Sequence, residues 1–380
     1  MALHVTANFP GGNVCQPVVD TASDVSGVTF YAHPKAGTEA LWFHFLIKDS
    51  ASNVGKDRKM RITLCGLEEW MEPSFAGDLL PVYRPQGQGW HRCSSGTVNT
   101  EPDGRFRVTW WIPHPEPQTE VALCFPYGRS ELESLRSKSR NYWAEDVIGM
   151  TEEGLPLRRW SSDYGGLDNR KSGLYLIARE HAGETPASWV VDGVLQYLAR
   201  IKRDPFLVWA IPIADPDAAE RGIHGASTYP LDVDRAWGES PARREVRCIQ
   251  TDIQRWRSHC KPVLLVDFHA AEPHEKDGVY CEIPDPECFP EEHQAAVKWA
   301  NVIQHELQSA YAADDFKRMA MQSKQTPNTI LCDYICGHLH LCALSLRIPY
   351  SRIGTKTLSQ KNYREIGEAI AKAMINKSGR

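Results

Sequence analysis

The chain reads as a two-part α/β protein, with an all-β front and a larger part in which strands and helices alternate. Three observations predict this. The length of 380 residues exceeds what one hydrophobic core usually serves, so two domains are the default. Up to about residue 128, short aromatic and β-branched runs are separated by Gly, Pro, Asn and Asp clusters. From about residue 150, apolar runs of strand length alternate with segments of helical spacing. The predicted architecture is an antiparallel β-sandwich over 1–128, a linker over 129–150, and an α/β domain with a mixed, largely parallel sheet over 151–380.

In the front part, Gly27–Ala32, Leu41–Ile47, Lys59–Cys65, Phe106–Ile112 and Glu120–Phe125 are the expected strands. Their composition suits a pleated, half-buried surface. The tryptophans here (Trp42, Trp70, Trp90, Trp110, Trp111) read as core and edge packing in preference to a carbohydrate platform. Ser130–Leu135 predicts a short connecting helix with Ser130 as its N-cap. Leu174–Ala178 is short, apolar and bounded, the pattern of a strand buried on both faces. A helix follows from Thr185, where Pro186 sits near the start at little cost. Val190, Val194, Tyr197, Leu198 and Ile201 give that helix a buried face. Phe206–Ile211 is the next strand, Glu245–Ser258 a helix, and Val263–Phe268 another buried strand. Gln294–Tyr311 and Asn362–Ile375 are helical, and Leu341–Ile348 is a strand between them. His338 and His340 alternate on what reads as one strand face, as pocket or packing residues rather than ligands.

Composition narrows the function classes. Hydrophobic content of 42% and charged content of 24% are ordinary for a soluble globular protein. A net charge of −5 leaves no basic footprint for nucleic acid. No secretion signal is legible in the first twelve residues, and no stretch approaches a membrane span. The eleven cysteines are odd in number and scattered, and Cys65, Cys124 and Cys342 lie inside apolar runs. They read as buried thiols of a reducing, cytoplasmic setting. Neither Cys332 and Cys336 nor Cys281 and Cys288 is joined by the second pair that a structural zinc site needs. Nothing in the sequence speaks to oligomeric state.

The chemistry lies at two strand ends. His181-Ala-Gly-Glu184 follows Leu174–Ala178, and His269 ends the run Val263–Phe268. In an open α/β sheet that edge is where ligands bind. An imidazole and a carboxylate three positions apart can converge across one turn, and a distant histidine can close the set. Two His, one Glu and an open position describe a catalytic zinc site.

Around these residues, the run from Ile177 through His181 and Glu184 to Trp189 closely resembles the zinc motif of the M14 metallocarboxypeptidases. The nearest branch is the cytosolic carboxypeptidases, enzymes that trim C-terminal residues. Asp215-Pro-Asp217, Leu231–Trp237 and Asp267-Phe-His269 continue that pattern, and Gly89-Trp90, Trp110–Pro113 and Phe125–Gly128 are similar to that branch's N-terminal β-sandwich. The resemblance implies a carboxypeptidase-like α/β domain with zinc held by His181, Glu184 and His269. It also implies that Arg235 grips the terminal carboxylate of a peptide or protein substrate, a task that suits a planar guanidinium. Tyr334 reads either as the substrate-capping phenol that the family places ahead of the strand Ala343–Ile348 or as a core tyrosine, and Asp232 is the expected partner orienting a zinc histidine.

Three departures accompany the resemblance. Asp234 stands where the family has Asn before the carboxylate-binding arginine, and an anion there repels a substrate carboxylate unless it is protonated or ion-paired with Arg235. No arginine is in register for oxyanion stabilisation, where His224 and Arg221 are the nearest substitutes. Arg347, in the strand Ala343–Ile348, occupies the place of the catalytic glutamate. A guanidinium cannot take up a proton, so it cannot act as the base. Glu272 is the nearest replacement base by sequence, beside Glu275. The readings are then a zinc carboxypeptidase with altered catalysis, a zinc amidohydrolase or esterase on another acyl substrate, or an inactive zinc protein that holds peptide ends.

Overall fold

Period-two burial builds the front of the protein. In the strand Phe106–Pro113 the side chains of Phe106, Val108, Trp110 and Ile112 are buried while Arg107, Trp111 and Pro113 are exposed, the alternation expected of a sheet with one covered face. The computed structural model describes all residues except 1–2, 21–24, 36, 38, 50–58, 69–70, 167–170, 202–205, 227, 229–230, 239, 241–242, 320–328 and 379–380. Trp70 therefore lies outside the described residues. The chain divides into two compact units.

The first unit comprises Met1–Pro126 with Ala218–Thr228 and Glu272–His274. Its strands are β1 (Leu3–Thr6), β2 (Cys15–Asp20), β3 (Gly27–Tyr31), β4 (His44–Asp49), β5 (Lys59–Cys65), β6 (Val82–Pro85), β7 (His91–Arg92), β8 (Thr97–Thr100), β9 (Phe106–Pro113) and β10 (Gln118–Ala122), with one short helix, α1 (Pro73–Ala76). They form two five-stranded sheets, ordered β1-β4-β10-β6-β7 and β2-β3-β5-β9-β8. All pairs are antiparallel except β3 with β5, which run parallel. The sheets meet through aromatic side chains: Phe30 of β3 lies edge-on to Phe45 of β4, ring centres 4.7 Å apart. Trp42 and Trp110 are buried, whereas Trp111 is exposed.

The second unit comprises Tyr127–Asp217, Tyr229–Ala271 and Glu275–Arg380. In chain order it holds α2 (Arg129–Lys138), β11 (Ala144–Met150), β12 (Pro156–Ser161), β13 (Ser172–Ala178), α3 (Thr185–Ile201) and β14 (Phe206–Ile211). After α4 (Pro216–Arg221), which runs across the division, come α5 (Arg244–His259), β15 (Lys261–Ala270), β16 (Val279–Ile283), α6 (Pro290–Tyr311) and β17 (Ala312–Met319). The remainder is α7 (Leu331–Leu339), β18 (Ala343–Ile348), the hairpin β19 (Arg352–Ile353) and β20 (Lys356–Thr357), and α8 (Gln360–Ser378). Eight strands form one sheet in the order β11-β12-β14-β13-β15-β18-β16-β17. Its centre, β14-β13-β15-β18, is parallel, and antiparallel pairs join β11 to β12, β12 to β14 and β16 to β18. Residues 129–150 thus carry α2 and β11, and β11 is a hydrogen-bonded edge of this sheet.

Two local expectations are corrected. The N-cap of α2 is Gly128, in extended conformation, and not Ser130. The Gly128 N–H donates to Glu131 Oε2 at 2.9 Å, so a glutamate one turn into the helix caps it from inside. His338 and His340 are not on a strand. His338 belongs to α7, and His340 ends that helix in left-handed conformation with φ 52°. The buried residues Leu331, Cys332, Ile335, Cys336 and Leu339 follow helical spacing, and that longer pattern outweighs a two-residue alternation.

Helix α3 is buried nearly all round from Thr185 to Leu195, beyond the single face its spacing predicted. The closest approach to α8 is made at two glycines. A Cβ at Gly193 would lie 2.4 Å from the Arg364 carbonyl oxygen, and one at Gly367 would lie 2.1 Å from that of Val190. Gly367→Ala should therefore force the helices apart and cost about 1–3 kcal/mol of stability, measured as a lower urea midpoint. An unchanged midpoint would show that this contact yields freely.

Candidate metal centre

The register of β13 against β15 sets the site. Ile177 pairs with Asp267 and Ala178 with Phe268, so the chain leaving β13 and the end of β15 emerge side by side. Beyond β13 the backbone turns at Arg179, which has φ 68° and donates from its buried guanidinium to the Tyr127 carbonyl at 3.0 Å. The turn closes where the Glu184 N–H donates to the His181 carbonyl at 3.1 Å. Glu184 directly precedes α3, so its carboxylate sits at the positive end of a 17-residue helix.

His181, Glu184 and His269 converge, each offering a donor atom within 4.8 Å of the others. Glu184 lies between the imidazoles, with Oε1 3.1 Å from His181 Nδ1 and Oε2 3.0 Å from His269 Nδ1. The Ala270 N–H donates to Oε2 at 3.0 Å. On its far side, His269 Nε2 donates to Asp267 Oδ2 at 2.8 Å. With a carboxylate on each ring nitrogen, His269 is held with protons on both, and Nδ1 must shed its proton before it can bind a metal, with Asp267 keeping Nε2–H in place. Two imidazoles and a carboxylate so arranged fit an ion that takes nitrogen and oxygen donors and keeps a position open.

More acids surround this set. Glu180 is fully buried; its Oε1 accepts the Trp237 indole N–H at 2.7 Å and its Oε2 lies 3.7 Å from His269 Nε2. Asp234 lies 3.9 Å from the Nε2 atoms of both histidines. Asp232 accepts the Arg235 backbone N–H at 2.9 Å and stands 3.9 Å from its Nε. Asp267 thus makes the contact that orients His269, while Asp232 clusters with His181 and Asp234. The Arg235 side chain is 58% exposed. Tyr334, on α7, is buried in the core with its ring centre 5.9 Å from that of Trp237. Glu272 is exposed, falls in the short stretch assigned to the first unit, and is not among the clustered acids of the described residues.

Arg347 pairs in register with His269 on one side and with Tyr280 on the other. Its Nε and Nη2 donate to one oxygen, Glu282 Oε2, at 2.9 and 2.8 Å. Arg347 is therefore a cation already tied to a neighbouring-strand carboxylate. Glu180 and Glu282 were not anticipated. Glu180 adjoins His181 in sequence, whereas Glu282 becomes relevant only through the pairing of β16 with β18.

Burial resists charge on each of these groups, and the pairings overcome it selectively. At Glu184 burial is outweighed by His269 and His181, which hold it well below the usual carboxylate range. At His181 burial is outweighed by Glu184 and Asp234, which carry it up to about 9. His269 rises well above its ordinary value because Asp267 and Glu184 overcome burial and Arg347. Glu180 is pushed up to about 8 by burial and then by Asp267. Arg347 is held above its usual value, with Glu282 and Glu184 outweighing burial. It is a permanent cation.

No family model matches the chain. It is 24% identical over 295 residues to cytosolic carboxypeptidase 2 of Danio rerio, a match covering 69% of this chain and 40% of the relative. Human cytosolic carboxypeptidase 4 is 32% identical over 189 residues, covering 43% of this chain and 17% of the relative. The fold is that of a metallo-carboxypeptidase from Burkholderia cenocepacia, with TM-score 0.77, 18% identity, and 99% and 98% of the two chains covered. This chain resembles the cytosolic carboxypeptidase branch of the metallocarboxypeptidases. A metallo-carboxypeptidase from Pseudomonas aeruginosa, in complex with (2-guanidinoethylmercapto)succinic acid, superposes with TM-score 0.75 at 17% identity, over 99% and 100% of the chains. The chain spans 40% and 25% of the length of the first two curated relatives. Among the described residues, no helix is long and apolar enough to cross a membrane.

Metal binding at this cluster must compete with protons. His181, raised to about 9, is protonated below that pH and must lose its proton to bind a metal. His269, held well above its ordinary value, must shed a proton as well, so apparent affinity should climb with pH through about 9, by about tenfold per unit for each proton displaced. Calorimetric titrations at several pH values check this, and a flat profile would place the metal elsewhere. Asp267→Asn should weaken affinity by about 10–100-fold, and His181→Ala should abolish stoichiometric metal by elemental analysis while circular dichroism stays unchanged.

Proposed function

We propose that the chain is a zinc-dependent hydrolase of the carboxypeptidase type, acting on the C-terminal end of peptides or proteins, with His181, Glu184 and His269 as the zinc ligands. The observation that carries this reading is the Glu184 carboxylate set between two imidazole Nδ1 atoms, one of them backed by Asp267. Zinc bound there would supply Lewis-acid polarisation of the scissile carbonyl. Arg235, tethered through Asp232 and largely exposed, is the group suited to a terminal carboxylate. Asp267 positions His269, and the Ala270 N–H holds Glu184.

Proton handling is where this chain differs. Arg347 cannot accept a proton, and Glu282 is committed to it. A peptide bond needs its leaving amine protonated, whereas an ester's leaving group needs that help far less. The Arg347–Glu282 pair therefore favours slow peptide cleavage and a preference for esters over amides, the second reading of the site. A chain that holds peptide ends without turning them over would show neither activity.

Zinc-loaded wild type should cleave simple C-terminal peptides about 10²–10⁴-fold more slowly than an enzyme with a positioned base, and should hydrolyse matched esters faster. Arg347→Glu alone would set two carboxylates side by side, so the informative variant is Arg347→Glu with Glu282→Gln. That pair should raise amide turnover and narrow the ester preference. Rapid wild-type peptide cleavage that the double variant does not improve would disprove this account of the base position.

A further inference from the structure

We propose that Glu180, Asp234 and Asp267 form a second cation site beside the histidine set, one that takes a hard divalent cation of the magnesium or manganese class. Glu180, Asp234, Asp267 and His269 each offer a donor atom within 4.8 Å of the others. The two buried acids share one feature. Glu180 spends Oε1 on the Trp237 indole, and its Oε2 has no hydrogen-bond partner. Asp267 spends Oδ2 on His269, and its Oδ1 has none. Both side chains are more than nine-tenths buried. A buried carboxylate oxygen without a donor is costly, so such oxygens bind a cation or take up a proton. Asp234, the partly exposed member, completes three carboxylates and leaves a way in.

The donor set decides the class of ion. Oxygen ligands of this charge suit magnesium, manganese or calcium, whereas the imidazole-rich set next to it suits zinc. A cation on Asp234 also removes the conflict that this residue creates. As a bare anion it repels a substrate carboxylate approaching Arg235; as a metal ligand it does not. The inference rests on the zinc reading of the neighbouring set, so zinc is counted in the same sample.

The test is a titration of the full chain, first loaded with one equivalent of zinc, using manganese alone as the probe. Free manganese is read by electron paramagnetic resonance, and both metals are quantified after gel filtration. One manganese per chain should bind on top of retained zinc. Its affinity should fall by about tenfold or more in Glu180→Gln and in Asp234→Asn, with zinc content and circular dichroism unchanged. No manganese beyond zinc, displacement of zinc by manganese, or binding that survives in both variants would overturn the proposal. Loss of zinc itself in the wild type would fault the first site instead. Two variants are used because Glu180 is buried and Asp234 is not, so a folding failure in one leaves the other informative.

Discussion

Parallel pairing of β13, β15 and β18 brings His181, Glu184, His269 and Arg347 to one sheet edge, because Ala178 aligns with Phe268 and His269 with Arg347. The strands are buried along most of their length, and a slip of one residue would turn every inward side chain outward. The rest of the site follows from this alignment. Helix α3 begins where β13 has turned back, so Glu184 sits at its N-terminus with a carboxylate stabilised by the helix dipole and by the Ala270 N–H. Side chains on α3 and α8 then hold that helix against the sheet, with Gly193 and Gly367 permitting backbone-close contact.

The electrostatics of the edge are uneven. Glu180, Glu184, Asp234 and Asp267 crowd two histidines, and Arg347, on the neighbouring strand, is already paired with Glu282. Removing charges from water is costly unless each finds a partner. Glu184 meets that demand with two imidazoles, and Asp267 meets half of it with one. The raised value of Glu180 expresses the part left over. Cations satisfy such a cluster in a way that side chains alone do not. This is the physical link between the histidine set and the acids behind it.

The Arg347–Glu282 pair ties β18 to β16 at this edge. Strand β18 pairs in register with β15, and its residues Leu346 and Ile348 beside Arg347 are buried. Packing here depends on the strand, whereas the chemistry the position offers depends on a single terminal group.

Local pattern carried much of this into the sequence. The two-part organisation, the buried strands Leu174–Ala178 and Phe206–Ile211, and the convergence of His181, Glu184 and His269 at strand ends were legible because side-chain period and strand-end placement are short-range properties. The mismatch at Arg347 was legible for the same reason, as one residue within a recognisable strand. Two alternating histidines, His338 and His340, misled because a two-residue sample cannot separate strand from helix. What only the tertiary structure decided was partnership: Glu282 against Arg347 through the antiparallel pairing of β16 and β18, Asp267 behind His269, and Glu180 turned inward towards Trp237. These contacts join residues from different elements, and their geometry depends on strand register and helix placement, which the whole core sets cooperatively and no local window contains.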